Sequence, residues 1–130
     1  MNIIVLSGAS DSGKTTTLNM VYDQLVTKLG ATITQPKSKL GGDPDDFECT
    51  LNYRGKCIAI FTMGDYAYSV MNAMDTYSAL KCDVLIIACN NHFVRPYQKI
   101  RHFPNIIRNK TMPLSNSSNS SDCTYIVSQL

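Results

Sequence analysis

Residues 3–15 read Ile3-Ile4-Val5-Leu6-Ser7-Gly8-Ala9-Ser10-Asp11-Ser12-Gly13-Lys14-Thr15, and this stretch decides the fold class. Ile3–Leu6 is a short, uninterrupted apolar run, the mark of a strand buried on both faces. After Lys14 the period changes: Leu18, Val21, Tyr22, Leu25, Val26 and Leu29 recur at the spacing of one helical face. Gly30 stands where a helix C′ residue is expected, with Lys28 near the negative end of the dipole. Between strand and helix, residues 8–15 (GASDSGKT) match G-x-x-x-x-G-K-[ST] in the context that pattern requires. Gly8 and Gly13 let successive N–H groups turn inward around a phosphate, and the helix N-terminus adds unpaired donors and positive dipole. Lys14 can supply a compact cation for β- and γ-phosphates, and Thr15 a hydroxyl for magnesium.

Outward from this core, residues 31–46 hold Pro36, Gly41, Gly42 and Pro44 with little periodicity, and read as loop. Phe47, Cys49, Leu51 and Tyr53 alternate with polar residues, predicting a strand with one wet face. Arg54-Gly55-Lys56 is a turn, and the apolar run Cys57–Phe61 completes a hairpin. Asp65 can cap a helix carrying Ala67, Val70, Met71 and Met74, and Val84–Cys89 is another buried strand. Pro96 can open a short helix that Pro104 stops. Ser115–Ser121 reads as a flexible connection, and Thr124–Val127 as a last strand with no helix to follow. The expectation is one α/β domain over residues 1–130, a three-layer sandwich around a mainly parallel five-stranded sheet. Its expected strand order is 2-3-1-4-5, with only Phe47–Tyr53 antiparallel.

At residues 8–15 the chain resembles the P-loop nucleoside triphosphate hydrolase superfamily, which includes ATPases, GTPases and small-molecule kinases. The resemblance implies that Gly8, Ala9, Ser10, Asp11, Ser12, Gly13, Lys14, Thr15 and Thr16 hold nucleotide phosphates, with Thr15 on magnesium. Such proteins hold the same ion, through water, on an acid that follows a buried strand. Asp65, after Cys57–Phe61 and Thr62-Met63-Gly64, is the best match, although it can equally be a plain helix cap. Gly64 can let the backbone come close to the phosphates, whereas Asp83 lies at the wrong end of its strand. Asn90 follows a strand at the active edge, where it can orient water or serve only as a turn residue. If the hairpin is antiparallel, residues 41–46 reach that edge too. Asp43, Asp45 and Asp46 can then hold metal, act as a base, orient an acceptor hydroxyl, or form only an acidic solvated turn. Guanine-specific relatives carry N-K-x-D; Asn109-Lys110-Thr111-Met112 lacks the aspartate, so ATP is the default among nucleoside triphosphates.

No acid occurs between Asp83 and Asp122, a span holding Arg95, Lys99, Arg101, Arg108, Lys110, His92 and His102. One use is a lid over the transferring phosphoryl group, with Arg95 as first choice for a catalytic arginine; the other is a solvated basic surface. Such a lid would suit a small anionic acceptor. The 130 residues are 44% hydrophobic and 17% charged, which excludes disorder, and a net charge of +2 announces no nucleic-acid partner. No apolar run approaches a bilayer span, and MNIIVLSG is not a secretory signal. Five cysteines without a CxxC suit buried thiols in a reducing compartment, so a cytoplasmic protein is expected. The leading functional expectation is a magnesium-dependent ATPase or small-molecule kinase. A non-catalytic nucleotide switch and a nucleic-acid-associated protein are the alternatives.

Overall fold

Residues Ile3–Leu6 are all buried, and their alternate side chains feed two separate cores in the computed structural model, which describes residues 1–130. Ile4 and Leu6 join Leu18, Val21, Leu25, Cys123 and Ile126 on one side; Ile3 and Val5 join Val70, Met74, Tyr77 and Ile100 on the other. The elements in chain order are β1 (Asn2–Gly8), α1 (Lys14–Asp23, extended by a π-helical turn Gln24–Lys28), β2 (Thr32–Lys39), β3 (Phe47–Tyr53) and β4 (Lys56–Phe61). Then follow α2 (Ala67–Ala79), β5 (Val84–Asn90), α3 (Arg95–Ile100), β6 (Asn105–Asn109) and α4 (Asn116–Ser128). Helices α1 and α4 pack together on one face of the sheet, α2 and α3 on the other. The result is an α/β sandwich around a mixed six-stranded sheet, and no helix is long and apolar enough to cross a membrane.

The strand order is β2-β3-β4-β5-β1-β6, which corrects the expected five-stranded 2-3-1-4-5 arrangement. β1 runs parallel to both β5 and β6, pairing Ile4 with Ile86 and with Ile106, and β4 is parallel to β5. β5 therefore separates β4 from β1, two strands that the sequence placed side by side. A fully buried strand carries no pattern that names its neighbour, so hydrophobic periodicity was silent on this point. Phe47–Tyr53 is antiparallel to Lys56–Phe61, as expected, but β2 pairs along its other side, so it is not the edge strand that the expected order made it.

Three segments differ from their sequence reading. Thr32–Lys39, read as loop, is an edge strand exposed along its whole length, with Pro36 and two register shifts blunting the edge. Exposure of both faces erased the alternation that marks a strand. Asn105–Asn109 is the opposite edge strand, half exposed. Thr124–Val127 lies inside α4 and not in a strand, and the Ser115–Ser121 tract is ordered as the start of that helix. The buried stripe of α4 is Ser118, Asn119, Asp122, Cys123 and Ile126, helical in spacing but polar in composition, and so invisible to a hydrophobic pattern. A capping box joins Ser115 and Ser118 and starts the helix. Four of the five free cysteines are buried and Cys57 is partly exposed. Burial pushes the Cys49 and Cys82 thiols up to about 12.

Candidate functional site

Parallel pairing brings the C-terminal ends of β1, β4, β5 and β6 to one edge, and the antiparallel β3 begins there. A cavity of about 410 Å³ opens at that edge. Its floor is the loop after β1 with the first turn of α1 (Asp11, Gly13, Lys14, Thr15, Thr16). Its walls are the β4–α2 connection (Thr62–Tyr66), the segment before β3 (Gly42, Asp43, Asp45, Asp46), and Leu114. Gly8, Ala9, Ser10 and Ser12 do not line it. Sites in open α/β sheets form outside the carboxyl ends of strands for this topological reason.

The loop is open for hydrogen bonding. None of the backbone amides from Ala9 to Thr16 donates to another protein group, and the first bonded amide is that of Thr17, onto Gly13 O. Gly13, with φ +92°, turns the chain into α1; a Cβ there would meet Leu114 Cδ1 at 2.5 Å and Asn119 Oδ1 at 2.7 Å. At Gly8 space is the constraint, since a Cβ would meet Ser12 Oγ at 2.7 Å. Ser12 Oγ and Asn119 Oδ1 are buried without a partner.

Lys14 is only 5% exposed and folds back over the loop. Its ammonium donates to Gly8 O at 3.0 Å and Ala9 O at 2.6 Å, and lies 3.4 Å from Asp65 Oδ1. Asp65 also accepts from Asn90 Nδ2 at 3.1 Å, and the same amide reaches Ser10 Oγ at 3.3 Å. Asn90 Oδ1 accepts from the His92 amide, so one side chain makes both the turn and a contact at the active edge. Tyr66 is the N-cap residue of α2 and no side chain caps that helix, which corrects the capping role expected of Asp65. Gly64 packs against β5 and not toward the loop: a Cβ there would meet Ala88 C at 2.6 Å.

Thr15 faces a different carboxylate. Its hydroxyl donates to Asp46 Oδ1 at 2.9 Å, and Thr62 Oγ1 donates to the same oxygen at 2.8 Å. Asp43 Oδ1 accepts from the Asp45 amide, a turn that swings residue 46 inward. Asn19 of α1 donates to both Thr15 O (3.0 Å) and Asp45 O (3.1 Å), clamping the acidic loop to the helix. Residues 41–46 thus reach this edge as the hairpin geometry predicts, and of the three carboxylates there Asp46 is the one that meets Thr15.

The basic half is dispersed. Arg108 and Lys110 both pair with Asp122, each at 3.0 Å, and Lys99 pairs with Asp75. Arg108 also lies over the Tyr125 ring. Arg95 is exposed at the start of α3 and Arg101 is exposed at its end; neither lines the cavity. The expected lid is thus a helix and an edge strand, and Lys14 is the one cation of the cavity lining. Asp122, fully buried, is the residue that sequence reasoning missed. Burial pushes its carboxyl up, but the hydroxyl and amide of Thr111 with Lys110 and Arg108 outweigh this and hold it below its usual value. Through this network α4 fixes the segment after β6, where the Lys110 amide donates to Ser7 O at the root of the loop.

Comparison with protein-family models, with curated proteins and with solved structures returned no match.

Proposed function

We propose that this chain binds a nucleoside triphosphate through residues 8–16 and acts on the γ-phosphoryl group as a magnesium-dependent P-loop NTPase or small-molecule kinase. The observation that carries the reading is the run of amides from Ala9 to Thr16 without protein acceptors, beside a buried ammonium and a cavity. Unsatisfied N–H groups at a helix N-terminus bind anions because aligned donors and dipole favour negative charge. On binding, Lys14 exchanges its bonds to Gly8 O and Ala9 O for phosphate oxygens. Negative charge developing on those oxygens is then met by preorganised donors.

Thr15 and the surrounding aspartates are hard oxygen donors, suited to magnesium. Magnesium keeps several water ligands and is bound through one or two carboxylates with phosphate oxygens, so Thr15 and a single neighbouring aspartate are a sufficient protein contribution. When bound, magnesium supplies charge neutralisation on the phosphates. That need is acute here, because the lining holds five aspartates (Asp11, Asp43, Asp45, Asp46, Asp65) against one lysine. The acidic wall opposite the loop also removes the support for an anionic acceptor. It favours water, or an acceptor that is neutral or cationic.

The same composition favours a second reading, a nucleotide switch with negligible turnover, because Arg95 and Arg101 stand away from the cavity. Calorimetric titration with ATP and GTP, with and without magnesium, tests the common premise; absence of saturable binding would overturn both readings. Release or transfer of γ-phosphate then separates enzyme from switch.

A further inference from the structure

We infer that Asp46, and not the strand-end Asp65, is the carboxylate that positions Thr15 for a divalent cation; the inference rests on the nucleotide reading above. The argument is one of hydrogen-bond direction. Thr62 is fully buried, and its Oγ1 accepts from the Phe47 amide at 2.9 Å. Its only proton is therefore directed to Asp46 Oδ1. A carboxylate accepts only, so the Thr15 hydroxyl also spends its proton on that oxygen. The lone pairs of Thr15 Oγ1 are left free to ligate a cation, the orientation such a ligand requires. Asp46 is 9% exposed, and its Oδ2 has no donor in the protein although the residue lines the cavity.

The arrangement is held from both sides. Thr62, the residue after β4, fixes Asp46 from the sheet, while Asn19 ties Thr15 and Asp45 together from α1. Asp65, by contrast, is engaged by the Lys14 ammonium and the Asn90 amide, and Thr15 is not among its partners. Its placement is that of a counter-charge holding Lys14 before phosphate arrives. The two carboxylates thus take separate roles: Asp46, one of three loop carboxylates offered as metal ligands, faces Thr15, and Asp65, the best match for the metal partner, faces Lys14.

The test is the dependence of ATP affinity on magnesium, measured calorimetrically for wild type, Asp46→Asn and Asp65→Asn. Asp46→Asn is expected to leave magnesium-free ATP binding unchanged or tighter, and to weaken the apparent magnesium affinity roughly 10- to 100-fold. Asp65→Asn is expected to keep the gain from magnesium. A variant damaged only in structure would lose both forms of binding together. The inference is overturned if Asp46→Asn keeps the gain and Asp65→Asn loses it. Failure of wild type to bind ATP at all would instead overturn the nucleotide reading. A second measurement needs no variant: Fe2+ replaces magnesium on the wild-type ATP complex, hydrogen peroxide is added as oxidant with ascorbate to recycle the iron, and the resulting backbone cleavage is mapped by mass spectrometry. Cuts around Thr15 and Asp46 are expected; cuts concentrated at Gly64–Asp65 would refute the assignment.

Discussion

Replacing Lys14 by methionine removes the ammonium and keeps the stem that threads the loop. In the free protein that ammonium has two carbonyl acceptors, at 3.0 and 2.6 Å, and a carboxylate at 3.4 Å. A phosphate charge about 4 Å away at an effective dielectric near 20 is worth about 4 kcal/mol. Lys14 must surrender part of its existing bonding to reach it, and charge-assisted hydrogen bonds contribute about 1.5–3 kcal/mol net. The difference leaves roughly 1–2.5 kcal/mol, so Lys14→Met should weaken ATP binding about 5- to 60-fold. Stability should change by less than about 1 kcal/mol, because the lost hydrogen bonds are offset by no longer burying an ammonium. Calorimetry in saturating magnesium, with a urea titration of the free protein, checks both. Affinity within about twofold of wild type, at unchanged stability, would refute the role given to the loop.

Asp122→Asn removes the fully buried counter-charge of Lys110, also buried, and should cost about 3–5 kcal/mol, a fall in Tm of roughly 10–18 °C. The Asp122 carboxyl is held below its ordinary value of 3.8, so its contribution is full at neutral pH. It is lost as pH falls through the depressed value, and the stabilities of wild type and variant, followed by urea titration, should converge in acid. Gly64→Ala drives a Cβ to 2.6 Å from Ala88 C and strains the Asn90 amide bond to Gly64 O. It should cost about 1–3 kcal/mol and, by displacing Asp65 and Asn90, should also weaken ATP binding in the same calorimetric assay. Ser115→Ala removes the cap of α4, for about 1 kcal/mol and faster amide exchange in its first turn.

The elements read most firmly were those whose burial matches a simple period. Ile3–Leu6, Ile58–Phe61 and Val84–Cys89 are buried strand segments, and Leu18 and Val21 of α1 with Leu25 of its π-helical extension form one inner face. Pro96 opens α3 as its position suggested. What escaped was structure without an apolar stripe. β2 is exposed along its whole length, and α4 turns Ser118, Asn119 and Asp122 inward, so neither presents hydrophobic alternation. A legible signal for α4 did exist in Ser115 and Ser118 at capping-box spacing, followed by Asp122, Cys123 and Ile126 on the same face. The loop after β1 was legible because glycine, lysine and threonine at fixed spacing encode a local backbone conformation.

The sequence by itself determined the opening strand, its glycine loop, the helix behind it, and the arrival of residues 41–46 at the same edge. Each follows from local conformation or from hairpin geometry. Only the tertiary structure decided which carboxylate meets Thr15, where the basic residues go, and which strand stands between β4 and β1. Those outcomes depend on strand order and on hydrogen-bond partners remote in the chain, such as Asp46 with Thr15 and Asp122 with Lys110. Periodicity describes how a segment faces its surroundings, and it carries no information about which segment those surroundings contain.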